Sequence, residues 1–453
     1  MVPVLSPVFF SLPHPHLFKS FHFLFPYLFK TLRFSPICSI LLSSMGIMSA
    51  HQPSHSGDYS PSQFIHVQSE LISLSSQPSL PSVPSLTSQT QQQQLYLPST
   101  TTTHHCVTTF KGHTSYVSSL ALAGNFLFSG SSAKEIRLWE QNLNSELDHE
   151  NISNNVVAVG KGAVKSMVVL GDKLFSAHQD HKIRVWKIND QEPHHQKCTR
   201  LATLPTLGDR AIKLLTPNNH VQIRRHKKCT WVHHVDTVSV LALSKDNSLL
   251  YSVSWDRSLK IWRTSDFKCL ESVGNAHDDA INALALSHDG YIYTGSADKT
   301  IKVWRKATED KKHSQVATLE KHNSGINALG LSTDGSVLYS GASDRSIVVW
   351  EKDYSGNMVV VGALRGHSKS ILCLAVVSDV VFSGSADNTI RIWRGIHKSY
   401  SCLAILEGHT GPVKCLTAAT DCYNPSNTST SYLVYSGSLD YDIKVWQIFI
   451  PLL

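Results

Sequence analysis

The stretch TGSADKTIKVW, residues 294–304, decides the fold because near-copies of it recur along the chain. In every copy a Ser or Thr stands ten residues before a Trp, and an Ile or Leu stands three residues before it. Neighbouring copies lie as close as 42, 43 and 46 residues apart, a period that is typical of repeat architectures. The seven copies end at Trp139, Trp186, Trp262, Trp304, Trp350, Trp393 and Trp446.

Each repeat predicts four β-strands. Apolar residues one and three positions before the Trp alternate with other residues, which is the period of a strand. Further alternating stretches of the same repeat are GYIYTGS (290–296), INALALS (281–287) and QVATLE (315–320). A single four-stranded sheet cannot bury both of its faces, whereas seven sheets arranged around one axis can.

The repeats resemble those of the WD40 β-propeller family over residues 105–449. The Trp-ending copies carry the resemblance, together with Gly-His pairs ahead of three of them. The resemblance implies an all-β, seven-bladed propeller, which we place at residues 104–449. Because only seven residues follow Trp446, the last blade lacks its outer strand. We expect residues 105–110 to supply that strand and close the ring.

Every blade carries polar residues that admit two interpretations. His, Asp and Ser together suggest a hydrolase relay. Alternatively, the His bridges the Asp and the hydroxyl, and the hydroxyl reaches the Trp indole, so that buried polar groups find partners. Seven structural networks are expected in such a ring and seven catalytic sites are not, so we predict a structural network. Its members are His113, His234, His277, His322, His367, His409, Ser129, Ser176, Ser252, Thr294, Ser340, Ser383, Ser436, Asp180, Asp256, Asp298, Asp344, Asp387, Asp440 and the seven tryptophans.

Two blades depart from this pattern. Ala133 stands where blade one should carry Asp, and Gly160 stands where blade two should carry His. A blade with an incomplete network leaves buried polar groups without partners. We therefore expect blades one and two to be held less firmly than the others.

Composition and motifs argue against an enzyme or a metalloprotein. The chain has no GxSxG, Walker or HExxH motif, and its nine cysteines contain no CxxC pair. We expect no catalytic residue, no cofactor and no metal, and free thiols in a reducing compartment. The net charge of +7 is a mild excess for 453 residues and does not by itself indicate a polyanion partner.

The first 103 residues differ from the repeats. Residues 1–49 are rich in Phe and Pro, and they are either a targeting segment or an upstream extension of the gene model, with Met45 and Met48 as alternative starts. Residues 50–103 are rich in Ser, Gln, Pro and Thr. Such a segment buries too little apolar surface to fold, so we predict a disordered tail.

Loop residues of the propeller rim are the candidate partner-binding residues. In WD40 proteins the residue before the turn Asp and those after the corner His, the His ahead of the inner strand, face the top surface. Trp255 is the most notable of them, either as an interface anchor or packed on a neighbouring loop. Tyr116, Asp279 and Lys369 are further candidates.

The longest gap between repeats holds an unusual excursion. A basic run of Arg224, Arg225, Lys227 and Lys228 lies in it, either as a nuclear-import address, as a contact for an acidic partner, or as a solvated hairpin. The outer strand of blade two is either RLATLP (200–205) or CTWVHH (229–234). We favour CTWVHH, because the corner histidine should follow its strand directly.

The excursion also narrows the family. LPTLGDR, RRHKK, TWVHHVDTVS and SVSWDRSLKIWR, within residues 201–263, together with LPSVPSL in the tail, resemble the plant Jingubang-like WD-repeat proteins. The resemblance implies a plant non-enzymatic regulator and names no ligand.

The predicted function is a protein-interaction scaffold. We expect protein or peptide partners rather than nucleic acid or membranes, and a monomeric propeller within complexes, in the cytosol with the nucleus as an alternative compartment. The alternatives are a nucleic-acid- or chromatin-associated regulator that uses residues 224–228, and an enzyme with a site in the central channel.

Overall fold

A computed structural model describes most of the repeat region. The described residues are 83–87, 102–140, 155–189, 197–214, 220–224, 227–307, 312–396, 399–421 and 429–452. All of them belong to one compact unit, residues 75–453. The predicted apolar extension, residues 1–49, lies outside the described residues, and so does most of the predicted disordered tail.

The chain folds into seven four-stranded antiparallel sheets, as the repeats predict. The first strand, β1 (Thr103–Phe110), belongs to the last sheet. Blades one to three, each from the inner to the outer strand, are β2 (Val117–Ala123), β3 (Phe126–Ser131), β4 (Glu135–Glu140) and β5 (Val156–Val159); β6 (Val164–Leu170), β7 (Lys173–His178), β8 (Ile183–Lys187) and β9 (Thr199–Leu204); β12 (Val238–Leu243), β13 (Leu249–Ser254), β14 (Leu259–Arg263) and β15 (Cys269–Val273).

The remaining blades follow the same order. They are β16 (Ile281–Leu286), β17 (Ile292–Ser296), β18 (Thr300–Arg305) and β19 (Ser314–Glu320); β20 (Ile326–Leu331), β21 (Val337–Ala342), β22 (Ile347–Lys352) and β23 (Met358–Leu364); β24 (Ile371–Val377), β25 (Val380–Ser385), β26 (Ile390–Ile396) and β27 (Ser399–Leu406); β28 (Val413–Thr420), β29 (Ser429–Ser438) and β30 (Ile443–Pro451), with β1 outermost.

The hydrophobic core lies between the blades. Each inner strand contacts the inner strands of both neighbouring blades, so the seven inner strands form a closed ring around a central channel. Among the described residues, every gap between adjacent blades holds its own buried apolar cluster. In one such gap Trp304 of blade four packs with Tyr251 and Ile261 of blade three. A blade therefore buries its faces only against its neighbours, which makes closure of the ring a condition of stability.

The predicted ring closure is confirmed. Strand β1 pairs antiparallel with β30, from Thr103 opposite Phe449 to Phe110 opposite Ile443. The ring of Phe110 stacks on the indole of Trp139 in blade one, with centroids 5.0 Å apart. The amino-terminal strand thus completes blade seven and also contacts blade one.

The favoured outer strand of blade two is wrong. The strand that pairs with β8 is β9, which carries RLATL, and Ile183 lies opposite Leu204. The Leu204 side chain is buried in the cluster between blades two and three. RLATLP also lies closer in sequence to β8 than CTWVHH does, so the loop that it must close is shorter and costs less entropy.

The excursion forms separate elements after β9. A short helix, α1 (Leu207–Leu214), precedes a two-stranded hairpin of β10 (His220–Arg224) and β11 (Lys227–Thr230). The buried carboxylate of Asp209 accepts a hydrogen bond from the backbone N–H of Cys269 at 3.0 Å. This bond ties the beginning of α1 to the beginning of the outer strand of blade three.

The tail contains one ordered segment that the composition does not predict. Residues 83–87 lie against the outer strands of blades five and six, with bridges from Ser85 to Ala363 and from Thr87 to Tyr400. The prediction of disorder over residues 50–103 is therefore wrong at these five residues and at the first residue of β1. The reason is that blades five and six supply the apolar contacts that the segment lacks on its own.

Replacement of residues 104–110 by a Gly/Ser linker of equal length should lower the melting temperature by about 10 °C, or leave no soluble protein, because blade seven loses its outer strand and its contact with blade one. The measurement is thermal unfolding followed by circular dichroism. The same linker in place of residues 88–94 is the matched control and should leave the melting temperature unchanged. Equal melting temperatures for the two variants would contradict this role of β1.

Candidate functional site

One hydroxyl group lies at the centre of the polar network in each blade. In blade four the indole N–H of Trp304 donates to the Thr294 hydroxyl oxygen at 2.9 Å. The His277 ring places Nε2 2.8 Å from the same oxygen and Nδ1 2.8 Å from the Asp298 carboxylate. Since only Nδ1–H can donate to a carboxylate, Nε2 accepts the hydroxyl proton. Every polar atom of the chain of contacts then has a partner.

Four other blades repeat this arrangement. The histidine Nε2 lies 2.8 Å from the hydroxyl oxygen in each, and the indole nitrogen lies 2.8–2.9 Å from it. The turn carboxylate also accepts the backbone N–H of the residue after the histidine, which joins two loops at the top of the blade. The groups are His234, Ser252, Asp256 and Trp262; His322, Ser340, Asp344 and Trp350; His367, Ser383, Asp387 and Trp393; His409, Ser436, Asp440 and Trp446.

Blade one closes its network with a different acid. Ala133 cannot supply a carboxylate, and Glu135 takes its place, with Oε1 2.9 Å from Nδ1 of His113. Arg137 pairs with the same Glu135 oxygen at 3.1 Å. The Ser129 hydroxyl and the Trp139 indole occupy their usual positions, 2.7 Å apart. The network of blade one is therefore complete.

Blade two closes its network with a different histidine. His178, on β7, places Nε2 2.8 Å from the Ser176 hydroxyl and donates from Nδ1 to the Gly162 carbonyl at 2.9 Å. A Cβ at Gly160 would lie 2.6 Å from Cε1 of His178, so only glycine leaves room for this ring.

Asp180 does not belong to the blade two network. Its carboxylate pairs with the guanidinium of Arg184, and the assignment of Asp180 to a histidine is wrong. The reason is that the second ring nitrogen of His178 already has a backbone acceptor. The His–hydroxyl–Trp networks of both irregular blades are thus complete, which removes the reason for expecting looser packing there.

The networks cannot act as catalytic relays in the folded ring. All seven hydroxyl-bearing residues are fully buried. Each hydroxyl oxygen already accepts an indole N–H and donates to a histidine, so it has no free approach for a substrate. The arrangement that gives each buried hydroxyl its hydrogen-bond partners also excludes solvent and substrate from it.

Burial also decides the charge state of the network. Desolvation lowers the pKa of His113, His234 and His277, although the neighbouring carboxylates oppose the shift. Burial by itself raises the pKa of Asp440, but the bonds from His409 and from backbone N–H groups lower it to about 2 overall. At neutral pH the networks of blades one, three and four therefore pair neutral imidazole with carboxylate.

Trp255 lies on the top surface beside a cation. It occupies the turn between β13 and β14 and is 40% exposed. The ammonium of Lys165, at the start of inner strand β6, lies 5.5 Å from the centroid of the Trp255 ring and 5.9 Å from that of Tyr116. Both distances are within the range of cation–π attraction. Trp255 therefore packs on a neighbouring blade and remains accessible at the same time.

This cluster borders the mouth of the central channel. The cavity there has a volume of about 340 Å³, and Lys165, Trp255, Asn282, Asn327 and Lys414 contribute to its wall. Its lining residues include no Asp or Glu. Within the described part of the chain, no carboxylate forms an ion pair with either lysine. We call Tyr116, Lys165, Trp255 and Lys414 the top patch.

The other candidate rim residues are not among those that line this cavity. Asp279 and Lys369 are exposed, and each follows a corner histidine by two residues, in blades four and six. The Asp279 carboxylate caps the backbone N–H of Ala280 at 2.7 Å, and the Lys369 carbonyl accepts the Ser385 hydroxyl. Both residues thus have local structural contacts, and their role in partner binding stays a prediction.

The basic run lies at the tip of the excursion hairpin. Arg224 ends β10 and lies opposite Lys227, the first residue of β11, and Lys228 follows it. Arg225 is outside the described residues. Nucleic-acid binding and nuclear import through this run stay predictions.

Sequence reasoning missed four residues that complete these sites. Glu135 lies two residues after the expected Asp position, and His178 lies on a different element from the expected His position at residue 160, so only the three-dimensional contacts show them as substitutes. Lys165 and Lys414 are the second residues of inner strands β6 and β28, just after the loops that contain the candidate rim residues. A search of the second residue of each inner strand for cations would have found both.

The residues that the structure describes contain no cluster of potential metal ligands.

The architecture defines a seven-bladed β-propeller with buried polar networks and an accessible top face. The family model described as WD domain, G-beta repeat, matches more than half of the chain, so the chain belongs to the WD40-repeat family. The matched residues are 104–140, 226–263, 267–305, 313–351, 358–394 and 400–447. Blade two is unmatched, in line with its unusual histidine. WD40 propellers are typically non-enzymatic scaffolds that bind protein partners.

Relatives in several organisms share this domain. Kinesin-like protein KIF21A of Homo sapiens is 26% identical over 333 residues, which are 64% of this chain and 19% of that protein. An uncharacterized WD repeat-containing protein of Schizosaccharomyces pombe is 25% identical over 255 residues, 47% and 67% of the two chains. Autophagy-related protein 16 of Arabidopsis thaliana is 24% identical over 258 residues, 53% and 48%. The chain spans about a fifth of the human relative and about half of the Arabidopsis one.

The part of the chain that the structure describes includes no helix with the length and apolar character that a membrane crossing requires.

Substitution of His178 by Ser should reduce the pH dependence of stability. Desolvation lowers the pKa of His178 from 6.5 to about 4, against the bond to Gly162, which raises it. The unfolded chain therefore takes up this proton first as the pH falls, and the fold loses about 3 kcal/mol between pH 7 and pH 4. Urea unfolding at a series of pH values measures this loss.

The His178→Ser variant should lack this part of the pH dependence, in addition to a lower stability at pH 7. His181→Asn is the matched control, because His181 is exposed and Asn tolerates its positive φ of 64°. This control should keep the wild-type pH dependence. Identical slopes for His178→Ser and the wild type would show that the buried ring does not titrate in this way.

Proposed function

We propose that the protein is a non-enzymatic scaffold that holds protein or peptide partners on the top patch. The single observation that carries the proposal is the exposed indole of Trp255 beside Lys165 at the channel mouth. Large aromatic residues at the centre of a surface are the typical anchors of protein interfaces. The loop surface, unlike the buried networks, is accessible to another molecule, and loops on a rigid scaffold commonly carry binding residues.

The charges of the top patch favour an acidic partner segment. Lys165 and Lys414 line the same cavity mouth, and the wall of this cavity has no acidic residue. A carboxylate or phosphate group on the partner can pair with both ammonium groups while an apolar side chain contacts Trp255. Opposite charge at an interface contributes to specificity and to the rate of association.

The relatives support the general role and no particular process. Their names refer to a kinesin-like protein and an autophagy-related protein, which differ in process although they share the repeats. We propose a cytosolic protein that also enters the nucleus, and a plant regulator on the strength of the sequence resemblance.

Substitution of Trp255 by Ala should remove the partners of the top patch. The experiment is affinity purification of tagged full chain from plant tissue, with wild type, Trp255→Ala and Lys165→Glu compared by quantitative mass spectrometry. We expect at least one partner to fall by about tenfold or more with both variants, which corresponds to a loss of about 1.4 kcal/mol. Melting temperatures must remain within the wild-type range.

The matched control is Tyr354→Ala. Tyr354 is a fully exposed aromatic residue in the loop between β22 and β23, at the opposite end of the strands from the turn that holds Trp255. This variant should retain the wild-type partners. If all three variants and the wild type recover the same proteins in the same amounts, the top patch is not the binding surface.

A further inference from the structure

The segment of the tail at residues 83–87, which we call the strap, binds two blades through its main chain. The Leu86 N–H donates to the Ala363 carbonyl at 2.9 Å, and the Ala363 N–H donates to the Pro84 carbonyl at 2.9 Å. The Tyr400 N–H donates to the Leu86 carbonyl at 3.3 Å. The strap therefore forms parallel bridges with the outer strands of both blade five and blade six.

Side chains anchor the strap on both sides of the outer strand of blade five. Val83 is 5% exposed and belongs to the buried cluster between blades four and five. Leu86 packs on the cluster between blades five and six, which contains Tyr339 and Tyr400. The Arg365 guanidinium donates to the Val83 carbonyl at 3.0 Å. An extended segment with two apolar anchors and main-chain bonds to strand edges is a recurrent mode of peptide recognition.

Gly362 makes the space for the leucine. A Cβ at Gly362 would lie 2.4, 2.7 and 2.9 Å from three carbon atoms of Leu86, and these are the nearest atoms that it would meet. The residues at the same register position, opposite the residue before the Trp, carry side chains in five other blades. They are Ala202, Glu271, Ala317, Ala404 and Thr108. Among the six blades in which a described strand residue occupies this register position, only blade five has a glycine there.

We propose that the edge of blades five and six is a peptide-binding groove for extended, uncharged segments of the type Val-Pro-Ser-Leu-Thr, and that the strap is its tethered ligand. The leucine over Gly362 gives the groove its specificity, and the main-chain bonds give it affinity. The sequence connection makes strap binding intramolecular, so a weak intrinsic affinity suffices to keep the groove filled. Release of the strap leaves two strand edges open to a peptide of the same chemistry.

The test uses full-length protein and a fluorescent peptide with the sequence of residues 81–89, followed by fluorescence anisotropy. The wild type should bind the peptide weakly, because the strap competes. The Leu86→Asp variant should bind it at least tenfold more tightly, since a buried carboxylate expels the strap. The double variant Leu86→Asp with Gly362→Val should lose this binding, because the valine fills the leucine pocket.

Two controls separate the groove from other effects. Leu95→Asp makes the same change at a tail leucine outside the described residues and should bind the peptide as weakly as the wild type. Amide hydrogen exchange should become faster at Ala363 and Tyr400 in both Leu86→Asp and Gly362→Val, with the rest of the propeller protected as before. This second measurement tests the groove even where a variant binds no peptide.

Three outcomes of the binding and exchange measurements would overturn the proposal. They are equal peptide binding by Leu86→Asp and wild type, peptide binding that survives Gly362→Val, and unchanged exchange at Ala363 and Tyr400. A wild-type dimer that dissociates with Leu86→Asp would also overturn it, because the strap would then come from a second copy. The groove lies on the outer edge of the ring and does not rest on the top patch, so Trp255→Ala should leave every one of these results unchanged.

Discussion

A buried hydroxyl that bonds at once to an indole and to an imidazole holds each blade of this protein together. The hydroxyl accepts the indole N–H from the third strand and donates to a histidine, which lies in the loop ahead of the blade in six blades and on the second strand in blade two. Because all of these groups are removed from water, the loss of any one would leave the others without partners. The position of the tryptophan, and with it the packing against the preceding blade, depends on this bond.

The same constraint explains why the surface of the propeller is its functional part. The histidine and hydroxyl side chains that could suggest catalysis are hydrogen-bonded to each other in all seven blades. None of the seven network hydroxyls is exposed. What remains for recognition is the rim, where Trp255 and Lys165 meet, and the strand edges, where residues 83–87 bind. These two surfaces offer different kinds of interaction to a partner. The rim offers an aromatic ring and positive charge, whereas the edge offers main-chain hydrogen bonds and a pocket for one leucine.

The sequence predicts the blades well because each repeat combines local strand signals with the same polar residues. Ring closure is predictable as well, since one strand is missing at the end and one is left over at the start. In blade two, however, the sequence predicts neither the outer strand nor the histidine correctly. Its outer strand is separated from the corner by α1 and a hairpin, and its histidine comes from β7. Composition does not predict that the strap is ordered, because its order depends on contacts with Gly362 and Tyr400, which are far away in sequence. The cation beside Trp255 likewise comes from another blade.

The use of His178 in place of a histidine at position 160 restricts the substitutions that blade two can accept during evolution. A histidine at 178 collides with any side chain at 160, and a glycine at 160 without that histidine leaves Ser176 short of a partner. Either replacement alone is therefore destabilising, whereas the two residues fit together. Positions 160 and 178 thus form an epistatic pair, which should covary across orthologues, because a change at either one alone passes through a less stable blade.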